Sequence, residues 1–179
     1  MADNTPSSFK MSDISLWLDS YNDIFSSFDP RPYSERALSV DFLGEAKRAS
    51  VDKDEGKIEL RLLMPPKKRN RQEEGVIKKR LRDHFKKHHE MLHRENRQLV
   101  KNGLFFAAMG VVLMFIASYM LFKNSETFLI SFLIVLLEPA GWFLFWEGLW
   151  QVIYQPRERR PELQFYEKMS KCDIQFLSY

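Results

Sequence analysis

Residues 103–122 read GLFFAAMGVVLMFIASYMLF and residues 128–146 read FLISFLIVLLEPAGWFLFW, with KNSET between them. The first stretch holds twenty residues without a charge, and a helix of that length rises about 30 Å, the thickness of the hydrocarbon core of a bilayer. The second stretch holds one charged residue, Glu138. Because the connection is short and polar, the pattern predicts a two-helix transmembrane hairpin over residues 103–153.

A buried helical pair inside a soluble protein is the alternative. A chain of 179 residues has too little remaining mass to cover two helices that are apolar on all sides. Charge is also segregated along the chain, because residues 67–101 carry 13 Lys or Arg against 5 Asp or Glu. The charges within 103–153 are Lys123, Glu126, Glu138 and Glu147. The mean hydropathy of −0.36 therefore averages a membrane segment with a highly charged remainder.

Arginine and lysine flank both outer ends of the predicted hairpin, whereas its connecting loop has one Lys and one Glu. The flanking cations are Arg94, Arg97 and Lys101 before the first span and Arg157, Arg159 and Arg160 after the second. The positive-inside rule then places both termini in the cytosol. We expect a protein of the inner (cytoplasmic) membrane in contact with its lipids, with Cys172 as a free thiol in a reducing compartment.

The second span contains the most informative residues of the hairpin. Glu138 lies near mid-membrane and precedes Pro139, which removes a backbone donor from the helix. Trp142, Trp146 and Trp150 follow on one face. One interpretation is a protonated, hydrogen-bonded Glu138 in a packed bundle, with the tryptophans as interfacial anchors. The other is a ring of Glu138 in an oligomeric cation pathway, with Glu147 as a second ring near the cytosolic mouth.

Residues 67–102 form a basic segment that predicts a long helical stalk running without a break into the first span. A narrow apolar seam of coiled-coil width recurs at spacings of three, four and seven residues. The seam consists of Ile77, Leu81, Phe85, His88, Leu92 and Leu99. Such a seam indicates self-association around an axis. Since two spans cannot enclose a pore, we expect a homo-oligomer of four or more subunits.

The other faces of the stalk are basic and predict a binding surface for a soluble polyanion, such as a single-stranded nucleic acid or oligonucleotide. The candidate ligand-binding residues are Lys67, Lys68, Arg69, Arg71, Lys78, Lys79, Arg80, Arg82, Lys86, Lys87, His88, His89 and Arg94. Two other interpretations remain open. The charges could keep the stalk solvated, or they could answer the acidic N-terminal region.

All four histidines lie between His84 and His93. They form i, i+4 pairs on a helix, but no carboxylate or cysteine completes a metal site at standard spacing, so we expect no metal and no cofactor. Arg82 and His88 match the loose spacing found in HEPN-type ribonucleases, and that resemblance implies a membrane-tethered ribonuclease as a distant alternative. Phosphate-binding, nucleophile and zinc-protease motifs are otherwise missing, so we expect no enzymatic activity.

The two chain ends predict a small α+β cytosolic domain. In the N-terminal region, residues 1–66, we expect an amphipathic helix over Ser12–Phe28 that packs on protein, a turn at 29–33, and a second helix from Ser34 or Ser39 to about Ala49. A turn at 54–57 then leads into a half-buried strand ending at Met64. In the C-terminal segment, residues 154–179, we expect a helix over 161–171 and a partner strand over 173–179.

This layout is a mainly α membrane protein: a cytosolic domain, a basic stalk and a hairpin with an intramembrane acid. It resembles the small two-span membrane effectors of prokaryotic anti-phage defence, and is similar to the channel subunit of Hailong-type systems. The resemblance implies an oligomeric ion channel or pore gated by a cytosolic polyanion. The competing hypothesis is a non-conducting scaffold that binds a soluble partner protein through the Ser12–Phe28 helix.

Overall fold

The computed structural model describes residues 13–51, 58–123 and 127–179. The predicted turn at 54–57 and most of the hairpin connection lie outside these ranges. The described chain divides into two compact units. We call Met1–Glu90 together with Leu163–Tyr179 the sheet unit, and Met91–Glu162 the hairpin unit.

The sheet unit is built on three parallel strands: β1 (Asp13–Trp17), β2 (Glu59–Met64) and β3 (Asp173–Ser178). They lie in the order β1–β2–β3, and the register pairs Leu62 with Leu16 on one side and with Phe176 on the other. The predicted pairing of the Glu59–Met64 segment with the C-terminal strand is confirmed. The domain is therefore assembled from both ends of the chain, as the sequence indicated.

Parallel neighbours cannot be joined by a tight turn and need a crossover connection. Between β1 and β2 the crossover contains α1 (Val40–Ser50), whose first turn is capped by the Ser39 side chain. Between β2 and β3 the described residues of the crossover form three α-helices: α2 (Arg71–Phe122), α3 (Phe128–Ile153) and α4 (Gln155–Lys171). The hairpin unit is thus an insertion within one crossover of the sheet unit.

One face of the sheet forms the core of the sheet unit. Alternate strand residues point into it, as expected for a sheet with one covered face. The helices contribute Phe42 from α1, Leu81 from α2 and Phe165 from α4. Leu60, Leu62 and Leu81 are completely inaccessible to solvent, so the core is formed within a single chain.

The predicted Ser12–Phe28 helix is wrong. Its described part contains strand β1 and a short 3₁₀ helix at Tyr21–Ile24. Ile14 and Leu18 fit both a helical and an alternating pattern, and pairing with the central strand β2 decides in favour of the strand. Trp17, which the helix would have buried, is 68% exposed. The segment packs on its own chain.

The second predicted helix is confirmed as α1, and Ser39 rather than Ser34 caps it. The predicted turn after Phe28 is also confirmed, because residues 29–33 are not helical. The C-terminal helix begins at Gln155, six residues before the predicted start, and it contains Pro161.

Helix α2 confirms the unbroken run from the basic segment into the first apolar stretch. Two helical stretches of the described chain are long and apolar enough to cross a membrane. Only 11% and 6% of their most apolar windows are buried, whereas the core helix of a soluble protein is mostly buried. The two apolar helices therefore leave most of their surface to be covered by something outside the single chain.

The first half of the apolar seam in the basic segment does not form the predicted oligomer axis. Ile77, Leu81 and Phe85 have no exposed surface, because they pack into the core of the sheet unit. A narrow seam is equally typical of a helix that covers a small sheet, and the sequence pattern does not distinguish the two partners.

Candidate functional site

All of the predicted polyanion-binding residues except Arg94 lie in the sheet unit, and Arg69 among them is half-buried. Arg69 donates to the Glu74 carboxylate at 2.8 Å, to the Phe176 carbonyl at 3.0 Å and to the Ser178 hydroxyl at 2.9 Å. It therefore fastens β3 to the start of α2. Arg69 therefore has a structural role, and its predicted contact with a ligand stays a prediction.

Glu74, the partner of Arg69, is a buried carboxylate with 6% exposure. Burial alone would raise the pKa of Glu74, but the hydrogen bond and the charge of Arg69 outweigh it, so that the pKa lies below its usual range. Tyr21 donates its hydroxyl to Glu74 at 3.2 Å and accepts from the Asn70 backbone at 2.8 Å. Burial raises the pKa of Tyr21.

Four further candidate cations contact their own chain. Arg80 donates to the Arg36 carbonyl at 3.0 Å, and Arg82 pairs with Asp173 at 3.2 Å. The other two contacts are Lys78 over the ring of Phe176 and Lys68 on the carbonyl of Asp19. The acidic partners shown for the basic segment are Glu74 and Asp173, which lie outside the acidic N-terminal region. The interpretation that the basic charge answers that region stays open.

A smaller exposed set remains, which we call the outward cations. Its members are Lys67, Arg71, Lys79, Lys86 and Lys87 in the sheet unit and Arg94 in the hairpin unit, all exposed. Asp83 and Glu90 are exposed on the same helix. The outward cations of the sheet unit therefore form a mixed surface with a positive excess.

The histidines near the middle of α2 form a column of rings with α4. His84 stacks on His88 with ring centroids 4.0 Å apart, and His88 stacks on Tyr166 at 5.3 Å. Burial lowers the pKa of His84 to about 4, assisted by the neighbouring His88 and Arg80. His88 is held further by its contact with the His84 carbonyl at 3.0 Å. His88 is half-buried and is part of the packing between α2 and α4, and its predicted contact with a ligand stays a prediction.

These histidines form neither a metal site nor the paired ribonuclease arrangement within one chain. Among the described residues no group of three His, Cys, Asp or Glu could hold a metal ion. Arg82 lies six residues from His88, which places them about 120° apart around the helix. Arg82 is exposed and pairs with Asp173, while His88 packs on Tyr166. His89 is half-buried.

Cys172 is buried, and burial raises the pKa of its thiol to about 11.

In the hairpin unit, α2 and α3 approach through glycine. A Cβ on Gly110 would lie 2.5 Å from the Gly141 carbonyl oxygen, and one on Gly103 would lie 2.8 Å from the Gly148 carbonyl oxygen. A side chain at Gly148 would collide with the Ala107 backbone. Small residues that let helix backbones meet are typical of packing in membranes. The hairpin is therefore a closely packed pair of helices.

Glu138 is exposed on the surface of this pair. It lies with Pro139, Trp142 and Met114 around a groove of about 350 Å³ between α2 and α3. Pro139 lies inside α3 and has no N–H, so it removes one backbone hydrogen-bond donor from the helix directly after Glu138. The groove thus combines a carboxylate and an aromatic side chain on an apolar surface.

The structure does not place Glu147 with Glu138. Helix α3 is continuous from Phe128 to Ile153, and nine residues along a helix correspond to about two and a half turns. The two carboxylates therefore point to opposite sides of α3. Glu147 is half-buried and accepts a hydrogen bond from Gln151 at 2.9 Å. The pair of acidic rings stays a prediction, because within one chain the two carboxylates lie on opposite faces of α3.

The three tryptophans follow Glu138 along the surface of α3. Their exposures are 55%, 52% and 47% for Trp142, Trp146 and Trp150. Trp142 and Trp146 are in edge contact at 5.7 Å, and Trp150 stacks on Tyr154 at 4.7 Å. A surface stripe of this kind is typical of side chains at a membrane interface.

A polar contact joins α2 and α4 at the other end of the hairpin unit. Arg159 pairs with Glu95 at 3.1 Å. Gln98, Leu99 and Asn102 complete a cleft of about 270 Å³ beside this pair. One of the six predicted flanking cations is thus neutralised by its own chain, while Arg94, Arg97 and Lys101 are exposed.

Comparisons with protein-family models, with curated proteins and with solved structures find no match for this chain.

Proposed function

We propose that this chain is the subunit of an oligomeric membrane channel that responds to a polyanion on its cytosolic side. The observation that carries the proposal is the exposed carboxylate of Glu138 in the middle of an apolar hairpin. A carboxylate facing lipid is costly, so intramembrane acids face water, a protonation partner or another protein surface. The described residues supply no such cover around the groove of Glu138, and further copies of the chain would supply it.

The number of copies follows from geometry. A pair of helices in close contact through glycine has no space for ions between its members. A water-filled path therefore requires several hairpins around a common axis, which gives the expected tetramer or larger ring. The exposed apolar surface of α2 and α3 is available for contacts between hairpins and for lipid.

The proposed orientation of the chain in the membrane is based on its charge distribution. The exposed cations Arg94, Arg97 and Lys101 precede the first span directly, and the positive-inside rule assigns that side to the cytosol. The sheet unit joins the hairpin at the same end of both helices, so it shares that compartment. A role in anti-phage defence at the inner membrane of a prokaryotic cell completes the proposal.

The polyanion would bind the outward cations rather than the whole basic segment. Lys79, Lys86 and Lys87 are exposed on α2, and a single-stranded oligonucleotide gains from several fixed cations by releasing counterions. Binding would gate the channel if the oligonucleotide prefers one conformation of the subunits.

Ion flux from liposomes tests the channel. Vesicles containing the wild-type chain should release a trapped cation after addition of single-stranded oligonucleotides or without any addition, and Glu138→Ala should change the rate. Glu147→Ala is the matched control, because its carboxylate lies on the other side of α3. Absence of flux from wild-type vesicles with every oligonucleotide would refute the channel.

A matched pair of variants tests the ligand. A triple change of Lys79, Lys86 and Lys87 to Gln should reduce the affinity for a single-stranded oligonucleotide and lower its salt dependence by about three phosphate contacts. The same change at Arg157 and Arg160, which are exposed on α4, should leave the affinity nearly unchanged. Affinity that does not depend on salt would remove the polyanion from the proposal.

A membrane-anchored scaffold is the second candidate, and one loop favours it. Phe28 is 95% exposed, beside an Asp29 that accepts from the Ala37 backbone at 2.7 Å and from Arg31 at 2.7 Å. The Arg31 hydrogen bond holds the pKa of Asp29 well below its usual range. A fixed, exposed aromatic residue is typical of a protein-binding surface. A monomer or dimer in detergent would favour this scaffold over the channel.

A further inference from the structure

The apolar stretches of the hairpin contain few polar side chains. Within 103–122 and 128–146 the non-aromatic polar residues are Ser118, Ser131 and Glu138. Each of the three is exposed in the single chain. Their positions around the helices decide whether they share one surface.

All three residues lie on the same side of the hairpin. Met114 of α2 and Glu138 of α3 line one groove. Ser118 follows Met114 by four residues, and Ser131 precedes Glu138 by seven, so each serine lies on the face of its groove residue. We call Ser118, Ser131 and Glu138 the polar flank of the hairpin.

The opposite flank is apolar at the same depth. Ile116 and Leu133 are 44% and 42% exposed. Each lies two residues from a serine of the polar flank, which turns it about 160° away. Glu147 lies on this opposite side of α3, and its carboxylate is already paired with Gln151.

We infer that the polar flank lines the aqueous path of the oligomer and makes it selective for cations, while the opposite flank faces lipid or a neighbouring hairpin. The inference rests on the proposed channel and specifies its lumen. Hydroxyl groups and a carboxylate are favourable next to water and costly next to acyl chains. A ring of carboxylates from several copies concentrates cations and repels anions.

Cysteine labelling of the full chain in liposomes tests the orientation of the two flanks. In a Cys172→Ala background, Ser118→Cys and Ser131→Cys should react with a membrane-impermeant, water-soluble thiol reagent about tenfold faster than Ile116→Cys and Leu133→Cys, because a thiol in contact with lipid stays protonated and dry. The serines and their controls differ by two positions, so depth in the membrane is matched. Equal rates, or faster labelling of Ile116→Cys and Leu133→Cys, would overturn the inference.

Selectivity provides a second measurement. Glu138→Gln should lower the permeability ratio of K⁺ to Cl⁻ by about tenfold, whereas Glu147→Gln should leave it unchanged. Conductance with an unaltered ratio in Glu138→Gln would overturn the inference and leave the channel in place. Absence of any conductance from the wild-type chain would instead overturn the proposed channel itself.

Discussion

Gly148 shows how a single hydrogen atom in place of a side chain sets the distance between two helices. Its Cα faces the backbone of α2, where an added Cβ would collide with Ala107 and would lie 2.5 Å from the Gly103 carbonyl. Backbone atoms cannot rotate away as a flexible side chain can. The close pairing of α2 and α3 therefore depends on this position as much as on any apolar contact.

Replacing this glycine should loosen the hairpin. Gly148→Ala is expected to cost about 1–3 kcal/mol, the range for overpacked sites, and to lower the thermal midpoint of the detergent-solubilised chain. Gly75→Ala is the control, since a Cβ there meets nothing within 4 Å and alanine gains about 1 kcal/mol of helix propensity over glycine. A Gly148→Ala chain as stable as Gly75→Ala would contradict the packing.

His84 makes the stability of the sheet unit depend on pH. Its pKa is lowered from 6.5 to about 4, so the unfolded chain binds a proton in a range where the folded chain does not. The stability contributed by neutral His84 is fully present above pH 6.5 and is lost as the pH falls from 6.5 towards 4. The direction is that of a buried neutral imidazole that must accept a charge.

A substitution isolates this contribution. The wild-type sheet unit should lose about 1–2 kcal/mol of unfolding free energy between pH 6.5 and pH 4 through this histidine, because solvent around the partly exposed ring screens part of the full effect. His84→Phe, which keeps a ring against His88, should show a shallower decline over the same interval in thermal unfolding of the full chain in detergent. Parallel pH profiles for the two chains would show that His84 is not the group responsible.

At the scale of elements, the sequence predicted the helices well and the sheet incompletely. Twenty uncharged residues from Gly103 and the cap at Ser39 are local signals, and both helices begin or run as expected. Strand β1 has no such signal, because Ile14 and Leu18 satisfy two periodicities at once. Only its distant partner β2 selects the extended form.

The candidate site was predictable in part for the same reason. Glu138 can be recognised in the sequence because it is a charged residue within an apolar run, and it is exposed in the structure. No sequence feature distinguishes Arg69 from its basic neighbours Lys67 and Arg71. Its role depends on Glu74 and on β3, which follows more than a hundred residues later. Long-range partners of this kind are invisible to spacing and composition.

The first half of α2 supplies a test at this scale. Leu81→Ala should destabilise the sheet unit by about 2–5 kcal/mol, because Leu81 has no exposed surface and a cavity would remain. Val76→Ala, on the exposed side of the same helix with 44% exposure, should change stability by about 0.5 kcal/mol or less. Thermal unfolding measures both variants.

The number of subunits should be the same in both variants, because Leu81 packs within its own chain. Light scattering in detergent measures it. A change of oligomeric state in Leu81→Ala at a temperature where the sheet unit stays folded would restore the seam as an oligomer axis.

In the whole molecule, an apolar hairpin is inserted in the crossover between β2 and β3 of a small parallel sheet. Both ends of the hairpin unit continue directly into helices that pack in the sheet unit's core, α2 with Phe85 and α4 with Phe165. A ligand on the sheet unit and a change in the hairpin would therefore share two continuous helical connections. In the proposed channel, this connectivity is the route by which binding at the outward cations would bias the polar flank.

Recording from single molecules in a planar bilayer tests the central claim most directly. The proposed channel predicts discrete current steps from the purified wild-type chain, carried by K⁺ rather than Cl⁻, and weaker selectivity in Glu138→Gln. The wild-type chain, shown by protease protection to be inserted with both termini on one side, could instead produce no current steps with or without single-stranded oligonucleotides. That result would contradict the channel.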